Sequence, residues 1–426
     1  MILVAKTYWS GLPFHFRKPP RDAGSESLVL RADDGRQLRA SYWTPTATPR
    51  PRVAVIAMHP RVDFLHHYTF PRLVAAGFGC LGAMTRYGND DTDAEHEAML
   101  LDLAISIRFL KQRRGVEKVV LLGNSGGGSL STFYQAQAEL KPSERLKTSP
   151  AGTPTRFDVV DMLPADALAL VAAHRGQGKV LGACIDPSVV DEGDPLAADP
   201  ELDLYDPRNG FREPPWWTEL SEEFVQRYRE AQDARVRRLD AIARSRLEDA
   251  RDAALEAGRG DFDELPYGER QRLLRRRTLE RVMVVHRTMA NPSYIDRRLD
   301  PSPREYGSLL SDRPDLMNYA YLGFARTVTP RAWLSTWSAR SSNADLVANV
   351  AKVRAPTLYV SAEADREIYP RADVEPITRA IGASDKTVAT ISGARHYFEP
   401  PFGETEAPDV ERLMDVVVPW IRERCA

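Results

Sequence analysis

Short apolar runs and longer helical patterns alternate along the first part of the chain. Residues 27–31 (SLVLR) and 38–43 (LRASYW), joined across Asp33-Asp34-Gly35, predict an antiparallel hairpin. The runs at 53–58 (VAVIAM), 78–84 and 118–122 are almost wholly apolar, as expected of strands buried on both faces. Residues 65–76 predict a helix ending at Gly77. Residues 95–113 carry Met99, Leu103, Ile107 and Leu110 at helical spacing. A further helix is expected from Gly126, and 166–173 (DALALVAA) predicts the next strand.

Such alternation implies crossover units and a mostly parallel sheet with helices on both faces, an α/β architecture. The alternation then stops. Between 185 and 349 no strand is evident; loops rich in Asp and Pro lead into long helical stretches at 219–257 and 269–289. Strand patterns resume at 356–361 (PTLYVS) and 387–391 (TVATI), and an amphipathic helix over 410–422 closes the chain. The expected organisation is therefore an α/β core over 1–184 and 350–426, interrupted by a helical cap over 185–349. The basic run RLLRRRTLER near residue 275 reads as a solvated helix face, because Leu273, Leu274, Leu279 and Val282 recur between its charges. No internal repeat is evident.

The chain of 426 residues is long enough for an elaborated domain, and 43% hydrophobic residues suffice for a sizeable core. With 58 Lys and Arg against 60 Asp and Glu, the net charge of -2 argues against a nucleic-acid partner. No apolar run reaches the length of a membrane span, and the start is apolar only over 1–5, which is short for a secretory segment. Cys80, Cys184 and Cys425 form neither a metal-ligand spacing nor a disulfide framework, so no metal is expected and a reducing cytoplasm is the simplest location. The expected partner is a small-molecule substrate; a homodimer is left open.

The most specific motif is VVLLGNSGGGSL. Gly123-Asn124-Ser125-Gly126-Gly127 fits G-x-S-x-G and follows a buried strand directly. A serine there sits on a sharp strand-to-helix turn with its Oγ exposed, and a side chain at the flanking glycines would collide with the turn's neighbours. The backbone N–H of Gly126, at the start of the next helix, is placed to bind an oxyanion. A phosphate loop would need Gly-Lys-Ser/Thr, and a dinucleotide fingerprint would need glycine at 125. Ser125 is thus the candidate nucleophile.

These residues resemble those of the α/β-hydrolase superfamily, over roughly 26–180 and 350–424. The elbow, Gly-Asn-Ser-x-Gly-Gly, is also similar to that of the meta-cleavage-product hydrolases, a C–C bond-hydrolysing branch. The resemblance implies a triad in the chain order Ser, acid, His. The strand at 356–361 runs into Ala362-Glu363-Ala364-Asp365, where the family carries its acid; Asp365 fits the spacing, with Glu363 and Glu367 as rivals. His396 is the histidine downstream of that strand, in Gly393-Ala394-Arg395-His396, and the family carries a G-x-x-H there. It would act as general base, with Asp365 setting its tautomer.

The resemblance also places a second oxyanion donor after the 53–58 strand. Many members have His-Gly there; this chain has His59-Pro60, and proline offers no N–H. The backbone N–H of Arg61 becomes the expected donor, with Val62 as fallback and His59 as a structural residue. The Arg61 guanidinium could also meet a substrate carboxylate. Arg86 is expected to brace the loop at 88–91. Trp216, Trp217, Tyr319, Tyr321, Trp333 and Trp337 lie in the insertion, and Trp333 and Trp337 are candidates for an apolar substrate wall. The expected activity is carboxylic ester (or lactone or thioester) hydrolysis without a cofactor. The alternatives are C–C hydrolysis of an aromatic or steroid ring-cleavage product, and a non-catalytic binding protein of the same fold.

Overall fold

A computed structural model describes residues 12–88, 90–401 and 403–425; the apolar start at 1–5 lies outside them. β1 (Ala23–Arg31) and β2 (Gln37–Pro45) form the expected hairpin. β3 (Val53–His59), β4 (Gly79–Met84), β5 (Lys118–Asn124) and β6 (Ala167–Val171) follow. β7 (Met283–Val284) and β8 (Thr327–Val328) make a separate small ribbon, and β9 (Thr357–Ala362) and β10 (Lys386–Ile391) return to the main sheet. Its order is β1-β2-β4-β3-β5-β6-β9-β10. β2 is antiparallel to both neighbours, and every pair from β4 to β10 is parallel. All the parallel strands therefore end at one edge of the sheet, which is where such sheets carry their sites.

The apolar runs are continuous because both faces are covered. Val119 and Leu121 of β5 point into one core, shared with Met99, Leu103 and Ile107 of α2 (His96–Arg108) and with Leu130 and Phe133 of α3 (Gly126–Ala138). Val120 and Leu122 point into the opposite core, shared with Phe70 and Leu73 of α1 (Phe70–Ala75) and with Leu413 and Val417 of the C-terminal helix, Pro408–Cys425. Each such side chain taken out of water stabilises the fold by about 1.5–3 kcal/mol. Cys80, Cys184 and Cys425 are free thiols, all buried.

α1 is shorter than the helix expected over 65–76. The stretch before it is a loop held by side chains: Asp63 accepts the Leu65 N–H, and the His67 ring bonds Thr69 Oγ1 at 2.8 Å, so local polar contacts displace helix there. Arg86 clasps Asp102 of α2 through Nε and Nη2 and reaches Asp34 in the β1–β2 turn, tying the hairpin to α2; the loop it is expected to brace includes Asn89, which lies outside the described residues.

Residues between β6 and β9 build a third core. It begins inside the expected first segment, because Leu181 and Cys184 of α4 (Gln177–Cys184) belong to it. α5 (Glu222–Ala257) spans 36 residues, opened by Ser221, whose side chain accepts the Phe224 N–H. α6 (Tyr267–Thr278) stops well short of 289, the end expected from sequence. Beyond it the Arg246 guanidinium takes the carbonyls of Arg281 and Val282, and Met283–Val284 pairs with Thr327–Val328. The β-branched Val282, Val284 and Val285 suit that extended backbone. This ribbon is the strand pairing that the sequence pattern did not reveal. No helix of the described residues is long and apolar enough to cross a membrane.

Polar contacts join the third core to α2. The His96 N–H donates to Ser335 Oγ at 2.9 Å, Asn343 Nδ2 donates to Glu97 Oε1 at 2.9 Å, and Thr336 Oγ1 donates to the Ala94 carbonyl at 2.6 Å. These bonds seat the segment from Trp333 to Asn343 above the sheet edge that carries Ser125.

Candidate active site

Ser125 occupies the turn between β5 and α3 with φ 53° and ψ −126°, a conformation that L-residues avoid. The surroundings explain how it persists. A Cβ on Gly123 would lie 2.7 Å from Gly128 Cα, and one on Gly127 would lie 2.5 Å from the Met58 carbonyl oxygen. Only glycine lets the turn close this tightly. The Ser125 N–H reaches the carbonyls of Val171 and Ala172 at 3.1 Å, and Asn124 Nδ2 donates to Val171 O at 2.8 Å. Asn124 Oδ1 in turn meets His67 Nε2 at 3.2 Å. Burial holds the His67 pKa down to about 3, so this brace is uncharged.

The residues expected to form a triad come together. Ser125 Oγ lies 2.9 Å from His396 Nε2, and His396 Nδ1 lies 2.6 Å from Asp365 Oδ2. Since a carboxylate only accepts, Nδ1 carries the proton and Nε2 presents its lone pair to the serine. Asp365 is itself held by the N–H groups of Glu367 and Ile368, which donate to Oδ1 at 2.8 and 3.1 Å. Its rivals stand differently. Glu363 accepts from Ser392 and Gly393 on the exposed side, away from the imidazole. Glu367 faces the cavity in front of Ser125.

Burial opposes charging of His396, yet the charge and hydrogen bond of Asp365 outweigh it, and the imidazole pKa lies above its usual value. Ser125, His396 and Asp365 are 6%, 1% and 1% exposed, so the network is shielded from bulk water.

The cavity is narrow, about 20 Å³. Val180, Leu309, Phe324 and Trp337 supply its apolar wall, and Leu309, Phe324 and Trp337 come from the insertion. Trp337 is thus where the sequence places it, with its Nε1 on the Asp91 carbonyl. Trp333 is not. It is fully buried in the third core, its Nε1 donating to Asp240 at 2.8 Å. Trp216, Tyr319 and Tyr321 are exposed. A larger cavity among Asp34, Glu95, Glu97 and Arg156 shares no wall with Ser125 and contains no histidine.

The expected second oxyanion donor is engaged elsewhere. The Arg61 N–H donates to His59 Nδ1 at 3.0 Å, and the Val62 N–H donates to the same atom at 2.9 Å. The Arg61 guanidinium grips Asp91 through Nε and Nη2 at 2.6 and 2.7 Å and lies over the rings of Phe324 and Trp337. It closes the cavity as one half of an ion pair. The Gly126 N–H starts α3, as expected.

The cavity wall also holds two polar groups that the sequence did not single out, His174 and Gln177, and the rival acid Glu367. His174 and Gln177 follow β6 and are 5% exposed each. The position could have been inferred, because residues just beyond a parallel strand's C-terminal end face the site. Glu367, 8% exposed, receives the Tyr294 O–H at 3.1 Å, and burial pushes its carboxyl up to about 8. Burial thus favours its neutral form, which periodicity does not signal.

The raised His396 pKa sets a pH dependence. If His396 is the expected base, it works only when unprotonated, and activity is lost as pH falls through that raised value. The acid limb of kcat/KM should have an apparent pKa above 6.5. Asp365→Asn should move it down and cut kcat by up to ~10⁴-fold. Initial rates from pH 5 to 9 test this; a limb at the same pH in both proteins contradicts the pairing.

No family model matches the chain, and no curated protein sequence matches it. Among solved structures, it is similar to the α/β hydrolase GrgF from Penicillium sp. sh18, at 11% identity and TM-score 0.45 over 94% of this chain and 99% of that one. It is also similar to Est1E from Butyrivibrio proteoclasticus, at 12% identity and TM-score 0.43 over 93% and 98%. A thermophilic esterase from Thermogutta terrifontis aligns at 15% identity and TM-score 0.41 over 94% and 100%. The chain's own strand order and the left-handed serine after β5 carry the assignment: this protein has the α/β-hydrolase fold.

Proposed function

We propose that the protein is a serine hydrolase that cleaves a carboxylic ester, or a related acyl bond, through an acyl-enzyme. One observation carries the reading: the unbroken chain from Ser125 Oγ through His396 to Asp365, with the serine on a strained elbow facing a cavity. Ser125 Oγ attacks the substrate carbonyl carbon. The Oγ proton passes to His396 Nε2, and the carbonyl π electrons move to oxygen. The tetrahedral species collapses, the C–O bond to the leaving group breaks, and His396 returns the proton to the departing alkoxide. Water, deprotonated by the same imidazole, then releases the acid and restores the serine. These steps need only acid–base and nucleophilic groups.

The wall residues suggest the substrate. Leu309, Phe324 and Trp337 favour an apolar acyl or aryl group, and the narrow cavity favours a small one unless that wall moves. The ring-cleavage reading calls for a cation to receive a substrate carboxylate. Arg61 is clasped by Asp91, which does not favour that role.

p-Nitrophenyl acetate should be hydrolysed, and Ser125→Ala should lower its kcat by ~10⁴-fold or more without altering the fold. Retained turnover in Ser125→Ala would remove the nucleophile from the scheme.

The two tryptophans should separate. Trp337→Ala should widen the cavity and shift preference from acetyl towards longer acyl esters, and it should also lower stability, because Trp337 is buried in the third core as well. Trp333→Ala should cost about 3–5 kcal/mol of stability and leave the preference unchanged. A chain-length series of p-nitrophenyl esters and a urea titration read the two effects, and an unchanged acyl preference in Trp337→Ala contradicts the wall assignment.

A further inference from the structure

We propose that the second oxyanion donor is a side chain: His59, through Nε2–H and with the carboxamide of Gln177 beside it, completes the hole that the Gly126 N–H begins. The inference rests on Ser125 being the nucleophile. When Oγ bonds to the carbonyl carbon, the displaced electron pair resides on oxygen, and that oxygen needs donors already in place.

The usual backbone source is closed. Pro60 has no N–H, and the next two N–H groups, of Arg61 and Val62, both donate to His59 Nδ1 at 3.0 and 2.9 Å. That same bonding decides the tautomer. A ring nitrogen that accepts two N–H groups carries no hydrogen, so the neutral ring has its proton on Nε2. Burial, with the neighbouring His174 and Arg61, holds the His59 pKa well below its usual value, so the ring stays neutral and cannot compete with His396 as base. The backbone donors missing from the hole thus hold the imidazole in the form that can replace them.

Position supports the role. A Cβ built on Gly126 would lie 2.9 Å from His59 Nε2, 2.9 Å from Gln177 Nε2 and 3.0 Å from Gln177 Oε1. Both side chains therefore close on the one residue whose backbone N–H is the conventional donor, and both line the cavity with Ser125. Gln177 is 5% exposed, yet its carboxamide makes no hydrogen bond to any described residue; the same is true of His59 Nε2. Both side chains line the cavity, so these donors remain available to an atom bound there. A glycine at 126 keeps the space between them open for an oxygen atom.

The test uses the full-length protein and p-nitrophenyl acetate. His59→Asn keeps an oxygen near the Nδ1 position to accept the loop N–H groups but has no atom at Nε2. It should lower kcat by ~10²–10³-fold with KM little changed. His59→Gln carries an N–H near the Nε2 position and should recover at least tenfold of that loss, a rescue that a purely structural histidine would not show. A folded His59→Asn protein with kcat near wild type overturns the proposal, as does an equal fall in the Asn and Gln variants. Should His59→Asn fail to fold, Gln177→Leu decides: its side chain has no hydrogen bond to lose, a tenfold or greater fall in kcat supports the shared hole, and an unchanged kcat overturns it. Ser125→Ala, assayed in parallel, keeps the two readings apart. Turnover surviving in that variant refutes the nucleophile, whereas its loss beside an unaffected His59→Asn refutes the oxyanion donor alone.

Discussion

Holding Ser125 in a left-handed turn costs on the order of 1–3 kcal/mol, and much of the surrounding architecture serves to keep it there. The elbow follows a central strand with paired neighbours on both sides, so the backbone cannot relax without breaking the sheet. Gly123 and Gly127 allow contacts that no side chain would fit. The His67–Asn124–Val171 bonds tie the loop after β3, the elbow and the end of β6 into one unit. Residues from four parallel strands meet at the same edge: His59 ends β3, Ser125 follows β5, Asp365 follows β9 and His396 follows β10. Aligned strands therefore do for the site what no local sequence could.

His59 and His174 line the cavity with Ser125, His396 bonds the serine directly, and the three imidazoles differ in their surroundings. His396 Nδ1 faces a carboxylate, so its Nε2 presents a lone pair to Ser125 and its charged form is favoured. His59 and His174 receive backbone N–H groups on Nδ1, from Arg61 and Val62 in one case and from Gly176 in the other. Both are buried and held neutral, His174 down to about 3, and both carry their proton on Nε2. One residue type thus presents an acceptor and donors around one serine, separated by what touches the opposite nitrogen.

Much of this was legible in the sequence. The strands and the elbow announce themselves because buried parallel strands and tight glycine turns leave strong local signatures. Ser125, Asp365 and His396 follow from motif and chain order. The misplacements have physical causes. The helix expected at 65–76 lost its first half to side-chain bonds at Asp63 and His67, and the one expected to 289 lost its end to a ribbon closed by a partner some forty residues away. Trp333 and Trp337 lie on the same turn and both join the third core, but only Trp337 also lines the cavity, a distinction that needs the packed structure. The oxyanion loop was half legible. His-Pro showed that the common donor was missing, but the capture of the next two N–H groups by His59 appears only once the loop is folded.

The account stands on Ser125 being activated by its neighbours, and a covalent probe reads that directly. Treating the protein with a fluorophosphonate at neutral pH and mapping the modified peptide by mass spectrometry should give one adduct, on Ser125. Labelling should weaken as His396 becomes protonated at lower pH. An unlabelled protein, an adduct on another residue, or labelling that persists undiminished in Ser125→Ala would contradict it.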